Sequence, residues 1–416
     1  MKSSRLRPSR REFLSAGAAL SASFWIPSGV KGYTAAEVRA RAVGELVQQG
    51  ISKWDLDTPA LCVDLDAMEG NIAAMQAAMR RFGIASRPHA KTHKTAAIAM
   101  YQLETGSIGI CCAKLGEAEA LAAKGVDRLL MTTANPTPAK ITRAMALRKA
   151  QPTFVQAVDE ARNARDLDEA ARAAGVVADV VIDVAAGMRT GIPPGEGAVA
   201  LAQLVDRLPN LRLRGMLSYD GGVQHQHGFA ARKERALRTL EPNVQTFEAM
   251  KRAGLNMEIF SGGGTGTYNI MHLVPGITDV QVGSYLFMDM QYLAIGSEDG
   301  DPVFDDFAPA LTVVTTVLNN RFEGRLTTDA GAKALTINVP RARVIGEPGM
   351  DYNAGSDEFG QIQLTSPPSK AYAIGDKLEV IVPHCDPAVN EYDQMYGIRG
   401  DRVETIWTID ARGRST

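Results

Sequence analysis

The chain contains 416 residues, of which 45% are hydrophobic and 22% are charged. These fractions are typical of a globular protein with a large core, and the length predicts two or three domains or one large barrel with an appended domain. Lys and Arg total 45 and Asp and Glu total 47, so the chain lacks the basic field with which proteins bind nucleic acid. The four cysteines form no C-x-x-C pair, so we expect no disulfide framework and no zinc knuckle.

The N-terminal segment, residues 1–32, has the features of an export signal. It carries several positive charges, the string SRREFL and a short apolar stretch that ends at Pro27. This order is typical of a twin-arginine signal, and the apolar stretch is shorter than the roughly 20 residues that span a bilayer. We therefore predict a periplasmic protein without a stable membrane anchor, or a cytoplasmic protein if the signal does not function. A disordered basic tail is the alternative.

After the signal, apolar residues at helical spacing predict an amphipathic helix from Tyr33 to Gly50, within an N-terminal helical extension over residues 33–57. From residue 58 to residue 300, short apolar strings alternate with Ala-rich helical segments, which is the pattern of βα units with parallel strands. The string TPALCVDLD is a further strand that could belong to either body. Eight strings predict a (β/α)8 barrel of the TIM type: SRPHAK, SIGICCAK, DRLLMTT, TFVQAVD, VADVVIDVA, LRLRGMLSY, MEIFSGG and VQVGSYLFMD.

The pattern of apolar residues changes after residue 300. Helical periodicity nearly disappears, and apolar strings such as KLEVIVPHC alternate with Gly, Pro and Asn turns. This predicts a second, mostly β domain over residues 301–416. Because barrel enzymes carry their working residues at the carboxyl ends of the strands, the polar residues that finish the strings become candidates. They are Lys91, Lys114, Arg189, Tyr219, Ser261 and Ser284.

The most specific candidate is Lys91, in the string RPHAKTHK at the end of the first barrel strand. A lysine that is partly desolvated and near other cations has a lowered pKa and can bond covalently to a carbonyl group. The string SGGGTGTY lies between strands seven and eight, where barrels commonly bind phosphate through loop amides. A tight structural turn is the alternative for this string. A lysine opposite a phosphate loop predicts pyridoxal phosphate as the cofactor.

A metal site is predicted in the second domain. In the string VPHCDP, His384 and Asp386 lie on the same face if the segment is extended, because side chains alternate along a strand, and Cys385 then points away. A nitrogen and an oxygen ligand leave positions open for water and substrate on a divalent cation, which could be Mn²⁺, Zn²⁺, Mg²⁺ or Co²⁺. A hydrogen-bonded His-Asp turn without metal is the alternative.

Two loops complete the candidate site. Arg189 ends the fifth strand and could bond the cofactor ring, or serve as a structural ion-pair partner. The loop after the sixth strand contains Tyr219, His225 and His227. His225, if it faces the pocket, could act as a general base near neutral pH.

Five strings in this order, RPHAKTHK, the R-T-G after strand five, SGGGTGTY, GSYLFMD and PHCDPAVNEYD, resemble the D-threonine aldolase branch of the fold-type III, alanine racemase-like pyridoxal phosphate enzymes. The resemblance runs from Asp57 to the C-terminus. It implies that Lys91 binds the cofactor covalently, that His384 and Asp386 bind the metal, and that His225 acts on the substrate hydroxyl. It also implies a homodimer. The expected cofactor contacts are Lys91, Arg189, Tyr219, Ser261, Gly262, Gly263, Gly264, Thr265, Ser284 and Tyr285.

The activity that the resemblance implies is cleavage of a D-3-hydroxy amino acid, such as D-threonine or D-allo-threonine, to glycine and an aldehyde. The closest alternative is a D-serine or D-threo-3-hydroxyaspartate dehydratase of the same family, which resembles a His-x-Cys pattern where this chain has Asp386. A racemase would not need the metal pair. A non-enzymatic pyridoxal phosphate carrier would lack both the metal and the second domain.

Overall fold

The structure, a computed structural model, describes residues 50–416. The predicted export signal and residues 33–49 of the predicted helical extension lie outside the described residues. The rest of that extension contains a 3-10 turn, Lys53–Asp55, and is tied to the second domain by backbone bonds to Asp401 and Val403. Pairing with these distant backbone groups sets the conformation of residues 51–57, and the predicted amphipathic helix, which ends at Gly50, lies outside the described residues apart from Gly50 itself.

Within the described residues, strands β1 to β17 are Ala60–Asp64, Ala85–Ser86, Ile110–Cys112, Leu129–Met131, Val155–Val158, Ala178–Asp183, Leu211–Ser218, Ile259–Gly262, Asp279–Val280, Leu311–Asn319, Arg325–Thr328, Arg343–Val344, Met350–Asn353, Gly360–Leu364, Lys377–Ile381, Gln394–Arg399 and Arg402–Thr408. Helices α1 to α10 are Leu65–Phe82, Ala96–Glu104, Leu115–Ala122, Pro138–Ala150, Ala161–Ala174, Glu196–Arg207, Phe229–Arg252, Met290–Leu293, Ala332–Leu335 and Cys385–Asn390.

The predicted barrel is confirmed. Strands β2 to β9 form a parallel sheet in the order β2-β9-β8-β7-β6-β5-β4-β3. The two ends of this order meet, because the Cys111 amide donates to the Pro88 carbonyl at 2.7 Å and His89 bridges to Cys111. Each of the eight predicted strings contributes one strand, but the first and last strands are only two residues long. The other residues of those two strings form turns at the barrel mouth, including the 3-10 turns Ala90–Thr92 and Ser284–Leu286.

Alternation along the barrel strands decides which side chains reach the mouth. Val181 and Leu217 belong to an apolar cluster inside the barrel, whereas Ile182 packs in the larger core beneath the helices. Asp183 and Tyr219 follow at inward positions, at or just beyond the carboxyl ends of β6 and β7. The same alternation that fills the barrel with apolar side chains thus places two polar ones at its mouth.

The second domain is a nine-stranded sheet in the order β11-β14-β13-β12-β15-β10-β1-β16-β17, with an additional pairing between β10 and β11. Strand β1 lies inside this sheet, antiparallel to β10 and parallel to β16. The boundary of the barrel at residue 58 is therefore corrected, because β1 pairs with the second domain. Leu61 and Val63 of β1 are fully buried there.

Two further expectations concern membrane contact and cysteine chemistry. Within residues 50–416, no helix combines the length and the hydropathy that crossing a bilayer requires. All four cysteines are free and buried, as expected for a chain without a disulfide framework.

Candidate active site

A cavity of about 390 Å³ opens at the carboxyl ends of the barrel strands. The barrel supplies most of its wall, and the second domain supplies the remainder through the segment that leads into α10. The cavity brings together the following residues singled out from the sequence: Lys91, Lys114, Arg189, Tyr219, His225, Gly264, Thr265, Ser284, His384 and Asp386.

Lys91 lies in a 3-10 turn, Ala90–Thr92, that follows β2. Its Nζ is 3.2 Å from Oδ2 of Asp386. The Asp386 carboxylate raises the pKa of Lys91 above its ordinary value, against the opposite effect of burial. The expectation of a lowered pKa for Lys91 is therefore wrong, because the nearest charge is a carboxylate rather than another cation.

Asp386 is placed by a helix and not by an extended strand. His384 has extended backbone, but the residues after it form α10, with Asp386 in the first turn. The extended conformation predicted for this segment is wrong, yet His384 and Asp386 both line the cavity and Cys385 does not. Thr92 donates a hydrogen bond from Oγ1 to Oδ1 of Asp386 at 2.8 Å. Burial alone would raise the pKa of Asp386, but Lys91 and His384 lower it below its ordinary range.

The imidazole of His384 is held from behind by Asp289, a residue at the end of the GSYLFMD string. Nδ1 of His384 lies 2.8 Å from Oδ2 of Asp289, and the amide of Cys385 donates to the same oxygen at 2.9 Å. Burial would lower the pKa of His384, but the bond with Asp289 and the nearby Asp386 raise it above its ordinary value.

Two donor sets around His384 could hold a metal ion. Donor atoms of Asp289, His384 and Cys385 lie within 4.8 Å of one another. In that set both Asp289 oxygens already accept hydrogen bonds, and burial raises the pKa of the Cys385 thiol, which disfavours the thiolate that a metal binds. The predicted pair, His384 and Asp386, offers nitrogen and oxygen donors at the cavity wall. This pair fits a divalent ion with open positions for substrate.

His225 lies on the loop after β7 and borders the cavity beside His384. The ring centroids of the two histidines are 6.1 Å apart with an edge-on arrangement, and the His225 ring is 4.6 Å from that of Tyr292. Burial lowers the pKa of His225 below its ordinary value of 6.5. The imidazole is therefore neutral at neutral pH and can accept a proton.

Arg189 and Tyr219 lie together in the cavity wall. The Arg189 guanidinium carbon is 5.3 Å from the centroid of the Tyr219 ring, within the range of a cation–π interaction. Arg189 is exposed, on the loop that follows β6. The two side chains together offer one positive charge and one aromatic face to a ligand in the cavity.

The glycine-rich loop packs closely against its surroundings. A Cβ atom on Gly264 would lie 2.8 Å from Oε1 of Gln224 and 3.3 Å from a ring carbon of Tyr219, so a side chain there would displace Gln224 from its bond with the Gly266 amide. Thr265 accepts a hydrogen bond at Oγ1 from the amide of Tyr285 at 3.0 Å. A primary amine, a glycine-rich loop, an arginine and a tyrosine around one cavity suit pyridoxal phosphate, with its aldehyde, phosphate and aromatic ring.

Comparison with known proteins agrees with this geometry. The profile of the alanine racemase N-terminal domain matches residues 63–291, and the profile described as "Putative serine dehydratase domain" matches residues 310–398. D-threonine aldolase from Arthrobacter sp. is 34% identical over 91% of this chain and 98% of its own length. 3-Hydroxy-D-aspartate aldolase from Paracoccus denitrificans (strain Pd 1222) is 33% identical over 88% of this chain and 94% of its own.

A crystal structure of D-threonine aldolase from Filomicrobium marinum superposes with a TM-score of 0.84 and 34% identity, covering 90% of this chain and all of that chain. The chain belongs to the D-threonine aldolase branch of the alanine racemase-like family. Membership of this branch implies pyridoxal phosphate as the cofactor, and it disfavours the non-enzymatic carrier.

Some of the cofactor contacts expected of this aldolase branch do not reach the cavity wall. Ser261 is fully buried and donates from Oγ to Oδ1 of Asp279 at 2.6 Å. The hydroxyl of Tyr285 accepts a hydrogen bond from Gln102 at 3.1 Å. Gly264 lines the cavity, whereas Gly262 and Gly263 do not. The reason is inward packing, since these groups are already committed to the barrel interior.

Conversely, several residues of this aldolase-type site escaped the sequence analysis. Asp183 lines the cavity with an oxygen that has no partner, and strand alternation from Val181 could have identified it. His89 is buried beside Lys91 and caps its turn from Nδ1, a contact that its position in RPHAK hints at. Thr92, Gln224 and Asp289 act on other site residues from distant segments, so no local signal identifies them.

Proposed function

We propose that this protein is a pyridoxal phosphate- and divalent metal-dependent aldolase that cleaves D-3-hydroxy amino acids to glycine and an aldehyde. The observation that carries the proposal is the meeting of Lys91, His225, His384 and Asp386 in one cavity, with Lys91 Nζ 3.2 Å from Asp386. These residues come from three distant parts of the chain. An amine, a base and a metal pair around one cavity are the groups that retro-aldol cleavage of an amino acid requires.

The chain's own groups would hold the cofactor as follows. Lys91 would bond to its aldehyde, the loop at Gly264 and Thr265 would bind its phosphate together with Ser284, and Arg189 and Tyr219 would contact its ring. When bound, the cofactor supplies an electron sink for the negative charge that develops at Cα. Tyr219 packs beside the glycine loop, which would keep ring and phosphate in one fixed relation.

His225 and the metal pair would act on the substrate hydroxyl. His225, neutral because burial lowers its pKa, would accept the proton from the 3-hydroxyl oxygen as the bond between Cα and Cβ breaks. His384 and Asp386 would hold a divalent ion, for which we favour Mn²⁺ over Zn²⁺, Mg²⁺ or Co²⁺. The ion would lower the pKa of that hydroxyl, since a Lewis acid stabilises the alkoxide. The D configuration at Cα would direct the hydroxyl to this side.

A dehydratase of D-serine or D-threo-3-hydroxyaspartate is the second candidate. The match of residues 310–398 to a serine dehydratase domain favours it, because that segment includes the metal pair. Against it, the ligand in this chain is the carboxylate of Asp386, where the dehydratases resemble a His-x-Cys pattern. A carboxylate suits Mn²⁺ or Mg²⁺, whereas a thiolate favours zinc.

Product analysis separates the two candidates. The purified protein with pyridoxal phosphate and Mn²⁺ is given D-threonine, with L-threonine as the control substrate and with or without EDTA. We expect glycine and acetaldehyde from D-threonine alone, and their loss with EDTA. Formation of 2-oxobutyrate and ammonia would instead establish the dehydratase, and glycine formation that resists EDTA would contradict the metal site.

We also infer a homodimer that functions in the periplasm. The exposed apolar side chains of Met188, near the barrel mouth, and of Ile337 and Val339, in the second domain, support the dimer, because a second copy could cover them. The string SRREFL supports export. Light scattering of the purified protein, compared with V339D, tests the dimer, and fractionation of cells that express the chain with R10K/R11K tests export.

A further inference from the structure

Asp289 joins the two domains at the metal pair. It caps the N-terminus of α8 in the barrel domain, where Oδ1 accepts from the Tyr292 amide at 2.9 Å. Its other oxygen, Oδ2, accepts from the Cys385 amide at 2.9 Å and meets Nδ1 of His384 at 2.8 Å, both in the second domain. The residue is fully buried. Each oxygen is thus fixed by a backbone N–H group, so the carboxylate cannot turn.

A fixed carboxylate determines which nitrogen of His384 carries hydrogen. Both Asp289 oxygens already accept hydrogen bonds from backbone N–H groups, so the nitrogen 2.8 Å from Oδ2, Nδ1, is assigned as a further donor to this acceptor. In the neutral imidazole the lone pair then lies on Nε2, at the far side of the ring from Asp289. His384 borders the cavity together with Asp386. The nitrogen available to a metal is therefore the one directed away from Asp289.

The residue before Asp289 has a strained backbone conformation. Met288 has φ 50°, a left-handed conformation that non-glycine residues rarely adopt, and it is fully buried. Its amide donates to the Ser284 carbonyl at 2.7 Å, at the start of the cofactor-side turn Ser284–Leu286. Strain of this kind persists where the surrounding structure holds a functional geometry.

The α8 helix fixes the distance between Asp289 and His384. The amide of Met290 donates to the Val382 carbonyl at 3.1 Å, and that of Gln291 donates to the Pro383 carbonyl at 3.2 Å. These bonds dock the start of α8 on the two residues that precede His384. These backbone bonds therefore fix the position of the Asp289 carboxylate relative to the His384 imidazole.

We propose that Asp289 is a positioning residue that sets the tautomer and orientation of His384, so that Nε2 is presented to the divalent ion. This inference rests on the proposed function, because it takes His384 and Asp386 as the metal ligands. It assigns to Asp289 a role through His384 rather than a bond to the metal, in contrast to the donor set that its distances alone would allow.

The test measures metal affinity and not only activity. Mn²⁺ is titrated into the pyridoxal phosphate-loaded protein, and free Mn²⁺ is followed by electron paramagnetic resonance. We expect D289N to weaken affinity by about 10- to 100-fold, which is the usual effect of removing a partner behind a ligating histidine. The exposed control D206N should leave affinity unchanged. In an H384Q background, D289N should change the residual affinity by less than about 2-fold, because its effect passes through His384.

Three results would overturn the proposal. The first is an unchanged Mn²⁺ affinity in D289N. The second is an equal loss of affinity on D289N substitution in the wild-type and H384Q backgrounds, which would make Asp289 an independent ligand. The third readout needs no substitution of Asp289: histidine nitrogen NMR of the metal-free protein at pH 9, with His384 assigned through H384Q, should show hydrogen on Nδ1. Hydrogen on Nε2 would contradict it. If instead the wild type binds no Mn²⁺, or D386N binds it normally, the proposed metal site itself fails.

Discussion

At the scale of single residues, the cavity depends on groups whose charge is set by their neighbours. Lys91 and Asp386 stabilise each other's charged forms, whereas His225 and Asp183 are both shifted toward their neutral forms by burial. One small cavity therefore contains an ion pair, a neutral base and an acid that titrates near neutrality. Such separation of protonation states is typical of enzyme sites, since acid and base roles need different pKa values.

His225 should control the acid limb of the pH profile. As a base it works only when neutral, so kcat/KM should fall as pH drops through its pKa, which burial lowers below 6.5. We expect H225N to reduce kcat by about 10²- to 10⁴-fold and to remove this limb. His227, on the same loop but not in the cavity wall, provides the matched control, H227N. A limb that persists in H225N would mean that another group is the base.

Asp183 should make the cofactor-free protein less stable as pH rises. Burial raises its pKa from 3.8 to about 6, so the folded state binds this proton more tightly than the unfolded state does. The free energy of unfolding therefore falls as pH rises from 3.8 to about 6, and the total loss above pH 6 is at most about 3 kcal/mol. D183N should therefore raise Tm more at pH 8 than at pH 5. An equal gain at both values, or the same pattern in D206N, would argue against this cause.

The local sequence indicated some of these residues and concealed others. Lys91, Arg189 and Tyr219 stand at the ends of strands, where barrel geometry predicts working residues, and all three line the cavity. The partner of Asp289 lies 95 residues later in the chain, so no periodicity could pair them. The pKa of Lys91 was unpredictable for the same reason, because Asp386 comes from another domain.

At the scale of elements, the loop that carries His225 and the glycine-rich loop form one unit. Gln224 accepts from the Gly266 amide at 3.1 Å and donates to Oγ1 of Thr267 at 3.2 Å. Arg232, fully buried in α7, donates to the carbonyl oxygens of Gly266 and Gln226 at 2.7 and 2.9 Å. The base is therefore positioned by the same contacts that shape the proposed phosphate site.

Removal of the Gln224 side-chain bonds should loosen both loops. Q224L keeps the size of the side chain but leaves the Gly266 amide without its acceptor, a loss of about 1–3 kcal/mol for a buried donor. We expect weaker binding of pyridoxal phosphate, measured by fluorescence titration, together with a lower kcat. Q226L, on the same loop but half-buried, is the control. Lower stability with unchanged cofactor affinity would show that the two loops are not coupled.

At the scale of the whole molecule, the barrel is inserted into the second domain. The chain forms β1 in the nine-stranded sheet, passes through all eight barrel strands, and returns to the same sheet at β10. The sequence predicted both bodies because strand and helix periodicities differ, but it left the place of TPALCVDLD open. Which strands flank β1 depends on pairing with residues more than 200 positions away, which local pattern does not encode.

This arrangement predicts how the chain can be divided. Residues 58–300 expressed alone should be insoluble, because β1 loses both β10 and β16 and exposes the apolar edge around Leu61 and Val63. Co-expression with residues 301–416 should restore soluble protein by returning those partners. Solubility and cooperative thermal unfolding measure the outcome. A soluble, cooperatively folded fragment 58–300 would contradict the pairing of β1.

The same insertion determines how long β1 is without its neighbouring strands during synthesis. Strand β1 is synthesised more than 300 residues before its parallel neighbour β16. At translation rates of about 5–20 residues per second, an apolar strand waits on the order of tens of seconds for its partner while the barrel folds behind it. A nascent chain must keep this strand shielded from other chains during that interval, and the proposed metal ligands, at the start of α10, are synthesised only shortly before β16.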